Sequence, residues 1–138
     1  MYKKWKVKFI MNKHELLTLI DSLDLPKGEY YILGGGSLLM CGLRETTTDL
    51  DLCVSNYLFE KLREKYNLKE EEKNDCGFYR ISEKVEIVPS EKSNFTMMEV
   101  DGYYIEDLRR ILNFKKSRNL PKDQVDIQNI EKYLNKYN

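Results

Sequence analysis

Long apolar runs, net charge, cysteine pairs and histidine are all scarce in this sequence. No apolar run approaches the roughly 20 residues that a membrane-spanning helix needs. Mean hydropathy is −0.61 and 33% of residues are charged, so no membrane partner is expected. Net charge is absent as well: 23 Lys plus Arg balance 23 Asp plus Glu. That excludes a globally basic polyanion binder, though not a local basic patch. The three cysteines, Cys41, Cys53 and Cys76, form no C-x-x-C pair, and His14 is the single histidine. A zinc site is therefore not expected, and buried or half-buried thiols are. An odd cysteine count suits a reducing, cytoplasmic setting. Lysines at 3, 4, 6 and 8 interrupt the N-terminal stretch Met1–Met11, so it carries no secretory h-region. No repeat, low-complexity tract or linker divides the chain. Its 138 residues suit one domain, 1–138, with a core over about 12–135.

Apolar spacing predicts the elements. Leu16, Leu17, Ile20 and Leu23 form a helical stripe behind Asn12 as cap. Leu25-Pro26-Lys27-Gly28 is turn chemistry. Tyr30–Leu33 reads as a short buried strand running into Gly34-Gly35-Gly36-Ser37, with a short helix opening at Leu38. Asp49–Val54 alternates acidic and apolar residues as a strand does. Ser55 caps a helix to about Tyr66, with Leu58, Phe59, Leu62 and Tyr66 inward. Gly77–Ile81 and Lys84–Val88 read as a hairpin. Tyr103–Arg118 reads as a helix on Ile105, Leu108, Ile111 and Leu112, with Glu106 and Asp107 in its first turn. A last helix spans about Lys122–Asn135, with Val125, Ile130 and Leu134 inward. The expected order is α-β-α-β-α-β-β-α-α.

Three features carry chemistry. The glycines after the first strand let backbone approach an anion, and Ser37 adds a hydroxyl at the helix start. No Gly-Lys-Ser/Thr follows, so this is no Walker A loop, and Leu39 replaces the third glycine of G-x-G-x-x-G. Asp49 and Asp51 stand two apart on a strand and so share a face. Paired carboxylates repel unless a cation lies between them, and they suit Mg²⁺. Glu86 projects opposite Val85 and Ile87, and it joins the pair if the two strands are neighbours. Taken singly, each is also what a tight turn or a solvated strand shows.

Together these residues resemble the nucleotidyltransferase superfamily typified by DNA polymerase beta. Leu33-Gly34-Gly35-Gly36-Ser37, then Arg44 and Thr46-Thr47-Thr48 before Asp49-Leu50-Asp51, is similar to its small bacterial branch, which includes abortive-infection nucleotidyltransferase toxins. Glu106-Asp107-Leu108, Lys115, Arg118, Lys122-Asp123 and Asp126-Ile127 are similar to that branch's C-terminal helix pair. The resemblance covers about Tyr30 to Leu134. It implies an α+β nucleotidyltransferase fold, a short mixed β-sheet packed against helices. It also implies Mg²⁺-dependent transfer of a nucleoside monophosphate from a nucleoside triphosphate, ATP included, to a hydroxyl of RNA, protein or a small molecule. Two Mg²⁺ ions would sit on Asp49, Asp51 and Glu86. Gly35, Gly36, Ser37, Arg44 and Lys115 would hold the triphosphate. A toxin or antitoxin partner belongs to the same expectation. The family's third acid is often Asp, and Glu86 is one methylene longer; its usual Ser before Glu-Asp-Leu is Tyr104 here.

Two further functions compete. One is a non-catalytic, antitoxin-like binding module of the same fold. The other is an α/β interaction protein whose acids lie only on its surface. Zero net charge also conceals segregation. Lys3, Lys4, Lys6, Lys8 and Lys13 lie in an acid-free stretch, as do Arg109, Arg110, Lys115, Lys116, Arg118 and Lys122. The second stretch is compatible with a focused phosphate site.

Overall fold

The structure is a computed structural model that describes residues 10–137. The lysines at 3, 4, 6 and 8, and with them most of the N-terminal basic stretch, lie outside the described residues. The protein is an α+β domain of a six-stranded mixed sheet and five α-helices among the described residues.

Helix α1, Lys13–Leu23, begins as its sequence dictates. Asn12 accepts from the Glu15 N–H at 2.8 Å, and the Glu15 carboxylate accepts from the Asn12 N–H at 2.9 Å. Leu16 and Ile20 are buried, and Leu17 and Leu23 pack half-buried against the same core. Strand β1, Tyr30–Ile32, leads into α2, Gly34–Met40. Strand β2, Leu50–Ser55, leads into α3, Asn56–Tyr66, where the Ser55 hydroxyl accepts from the Leu58 N–H at 3.1 Å. Then follow β3, Tyr79–Arg80, and β4, Val85–Ser90. Two more strands come next, β5, Met97–Val100, and β6, Tyr103–Glu106. Helices α4, Leu108–Arg118, and α5, Gln124–Tyr137, close the chain. No helix among the described residues is long and apolar enough to cross a membrane.

The sheet order is β3-β4-β2-β1-β6-β5. Strands β2 and β4 run parallel, as do β1 and β6, and the other neighbours are antiparallel. One face is the core. Leu50, Leu52, Val54, Val85, Ile87, Ile32 and Ile105 are fully buried there, against Leu16 and Ile20 of α1 and Leu58, Phe59 and Leu62 of α3. A second cluster joins Leu38 of α2 to Leu108 and Ile111 of α4 and Ile130 of α5. The opposite sheet face carries Asp51, Glu86 and Glu106.

Three expectations are corrected. Tyr103–Glu106 is a strand, not the opening of a helix. Asp101 at φ 53° and Gly102 at φ 85° make the tight turn that favours a two-residue hairpin, and Tyr103-Tyr104-Ile105 suits a strand. The Ile105–Leu108 spacing imitates a helical stripe, but Ile105 joins the first cluster and Leu108 the second. Helix α4 instead starts after Asp107, whose carboxylate accepts from the Arg109 N–H at 2.8 Å. Helix α2 starts at Gly34 rather than at Leu38, so the glycines form its first turn. Val125 is 68% exposed, because α5 begins at Gln124 and its phase puts Ile127 and Ile130 inward.

Candidate functional site

The acids lie at the centre of the sheet. In the parallel pairing of β2 and β4, Asp51 is in register with Glu86, as Leu50 is with Val85 and Leu52 with Ile87. The leucines, Val85 and Ile87 point to the core, so Asp51 and Glu86 share the other face. Asp49 precedes β2 and is exposed. The start of α2 lies alongside, because the Leu33 N–H donates to the Asp51 carbonyl at 2.9 Å. The strand alternation therefore sets Asp51 beside Glu86, and the turn into α2 starts next to Asp51.

Electrostatics there are unfavourable for bare carboxylates. Asp51 is pushed up to about 6, first by burial, then by the Glu86 and Asp49 charges, while Arg80 opposes the rise. Glu86 pairs with Arg80 across β3 and β4 at 2.9 Å. This donor set, hard carboxylates crowded on a half-buried face, fits a hard divalent cation. Among the described residues, no group of three His, Cys, Asp or Glu side chains is already gathered tightly enough to hold a metal.

The other expected residues fall around the start of α2. Gly34 turns the chain at φ 51°, and its N–H donates to Glu106 Oε1 at 2.9 Å. Burial raises the Glu106 carboxyl above its ordinary range, while the Gly34 N–H and the Arg110 and Lys115 charges lower it. A Cβ on Gly35 would lie 2.7 Å from Arg44 Nη1, so the guanidinium rests against that glycine. A Cβ on Gly36 would lie 2.6 Å from Ile32 Cγ2; this glycine allows α2 to close on β1. Ser37 is fully buried. Its hydroxyl donates to the Ile32 carbonyl at 2.7 Å and accepts from the Glu106 N–H at 3.1 Å. The expectation of a Ser37 hydroxyl at the helix start is thus corrected: it stands one turn inside α2 and joins α2 to β1 and β6.

Arg44 and Lys115 meet on one acceptor. Arg44 Nη2 lies 2.7 Å and Lys115 Nζ 3.4 Å from Asp126 Oδ2. Lys115, buried, also pairs with Asp123 at 3.1 Å. Asp123 is 1% exposed and takes Arg118 at 2.6 and 2.8 Å. Arg118 first, with Lys115, holds its carboxyl well below the usual carboxylate range. Among the described residues no hydrogen bond or ion pair joins Arg44 or Lys115 to Asp49, Asp51 or Glu86. The basic stretch of α4 is largely matched by acids: Lys116 pairs with Glu131 at 2.6 Å, and Arg110 with Glu106 at 3.5 Å.

Sequence reasoning missed Arg80; it named Glu106 and Asp126 only within the C-terminal helix pair and Arg110 only within the basic stretch, without the partners the fold gives them. The hairpin that puts Arg80 opposite Glu86 was readable, but which arginine faced the acid depends on register. A cavity of about 390 Å³ lies elsewhere, lined by Met11, His14, Glu15, Thr18 and Lys84 among others, and none of the expected site residues lines it.

The fold and site define a class in physical terms: an α+β domain whose mixed sheet carries an in-register acid pair beside a glycine-opened helix. No family model matches the chain, and no curated protein or solved structure matches it either.

Proposed function

We propose that the protein is a Mg²⁺-dependent nucleotidyltransferase of the polymerase-beta-like fold, moving a nucleoside monophosphate from a triphosphate to a hydroxyl acceptor. The observation that carries this reading is the register of Asp51 with Glu86 on one sheet face, beside the backbone contact that joins Asp51 to the glycine turn. Asp49 and Asp51 would hold two divalent ions, and Glu86 the one nearer the acceptor. Bound ions of this kind neutralise phosphate charge and make a hydroxyl more acidic. Glu86 would take the acceptor proton. The acceptor oxygen forms a bond to the α-phosphorus, the α–β phosphoanhydride bond breaks, and pyrophosphate leaves. Arg44, which rests against Gly35, would meet phosphate charge at the start of α2. Lys115 would set the Asp126 carboxylate that Arg44 holds.

The test is incubation with labelled triphosphates, Mg²⁺ and total RNA or cell lysate. Label should pass to an acceptor, and Asp49→Asn and Asp51→Asn should each abolish transfer. Transfer undiminished in both variants would overturn the proposal.

A second reading, a non-catalytic binding module of toxin–antitoxin type, is favoured by one observation. Ser37 and Lys115, expected at the triphosphate, are both committed to internal contacts. Triphosphate binding with Mg²⁺ seen by calorimetry, together with no label transfer in that assay, would select it.

A further inference from the structure

One charged row crosses three neighbouring strands. Arg80 of β3 faces Glu86 of β4 in register, and Glu86 faces Asp51 of β2. The row reads cation, anion, anion on the sheet face away from the core. Arg80 Nη2 lies 2.9 Å from Glu86 Oε2. Its Nη1 donates to the carbonyls of Glu83 at 2.8 Å and Ser82 at 3.3 Å, so the hairpin turn fixes the guanidinium from its far side. Among the described residues Asp51 has no ion pair of its own. The single cation therefore sits at one end of the row, on the acid farther from the sheet centre.

We propose that Arg80 is an exchangeable counter-ion, which holds the Glu86 carboxylate until a divalent cation enters the acid row and then yields it. The inference rests on the reading of Asp49, Asp51 and Glu86 as a divalent-cation site. Magnitudes favour exchange. The Arg80 side chain is 51% exposed and that of Glu86 22%, so the pair is a half-solvated one of the kind that contributes little. A divalent ion shared by neighbouring carboxylates outweighs it. A guanidinium also stays charged at every working pH, so it cannot be removed by proton loss and must be displaced. Its anchoring by Ser82 and Glu83 keeps it close enough to recapture Glu86 when the cation leaves. Arg80 is thus a positioning residue that sets where the Glu86 carboxylate rests.

The test is Mn²⁺ binding without nucleotide, read as loss of the free-ion paramagnetic resonance signal, in wild type, Arg80→Gln, Arg80→Lys and Asp51→Asn. A competing cation removed should tighten Mn²⁺ binding by about three- to tenfold in Arg80→Gln. Arg80→Lys, which keeps the charge, should stay near wild type. Circular dichroism confirms that each variant is folded. Unchanged or weaker binding in Arg80→Gln overturns the exchange role while leaving the cation site standing. If wild type binds no Mn²⁺, or Asp51→Asn binds it equally well, the cation site fails and the counter-ion role fails with it.

Discussion

Asp51→Asn should stabilise the protein in the absence of divalent cations. The variant keeps the side-chain shape and removes a charge from a half-buried face shared with Glu86 and Asp49. A carboxyl that titrates at about 6 rather than 3.8 is one that the folded state prefers protonated. Forcing it to ionise costs up to about 3 kcal/mol at 1.36 kcal/mol for each tenfold change. Solvent contact of the half-buried side chain reduces this to about 1–2 kcal/mol. The sign follows from proton counting. Between pH 3.8 and about 6 the folded protein binds more protons at Asp51 than the unfolded chain does, so stability falls as pH rises through that window. Above pH 6 the full penalty is present, and below 3.8 it is gone. In EDTA at pH 7.5, Asp51→Asn should therefore melt roughly 3–8 °C above wild type. The advantage should shrink below pH 6 and nearly vanish by pH 4. Thermal melts followed by circular dichroism across that range measure it. A variant that melts below wild type at pH 7.5, or an advantage that does not shrink on acidification, would refute the argument.

Three further outcomes follow from packing and backbone geometry. Gly36→Ala puts a methyl 2.6 Å from Ile32 Cγ2 between α2 and β1, and urea unfolding should show a loss of about 1–3 kcal/mol. Asp107→Ala removes the α4 cap and should cost about 1 kcal/mol in the same assay. Gly102→Ala forces a side chain into φ 85° at the β5–β6 turn; it should lower stability by about 1 kcal/mol and increase amide exchange in Met97–Glu106.

The glycine run, the Asp-x-Asp alternation and the strand parity of Glu86 were legible because each depends on local rules: chain reversal, period two and face alternation. The hairpin β5–β6 was not, although Asp101-Gly102 is a turn signal. A four-residue strand followed at once by a helix produces an apolar spacing that looks helical throughout. The roles of Ser37 and Lys115 were also hidden. A hydroxyl beside glycines and a lysine on a basic helix look free until the chain brings their partners, the Glu106 N–H and Asp123, from 69 and 8 residues away.

By itself the sequence determined the helices capped by Asn12 and Ser55, the buried faces of β2 and β4, and the presence of acids in a pattern suited to a cation. Those follow from interactions within a few residues. Only the tertiary structure decided that β2 and β4 are parallel neighbours in the register that sets Asp51 beside Glu86. It alone placed Arg80 against Glu86, and Arg44 and Lys115 on one Asp126 oxygen. Pairing between distant strands and ion pairs between helices depend on how buried faces close over one another, and the near-neutral total charge gave no sign of where opposite charges would meet.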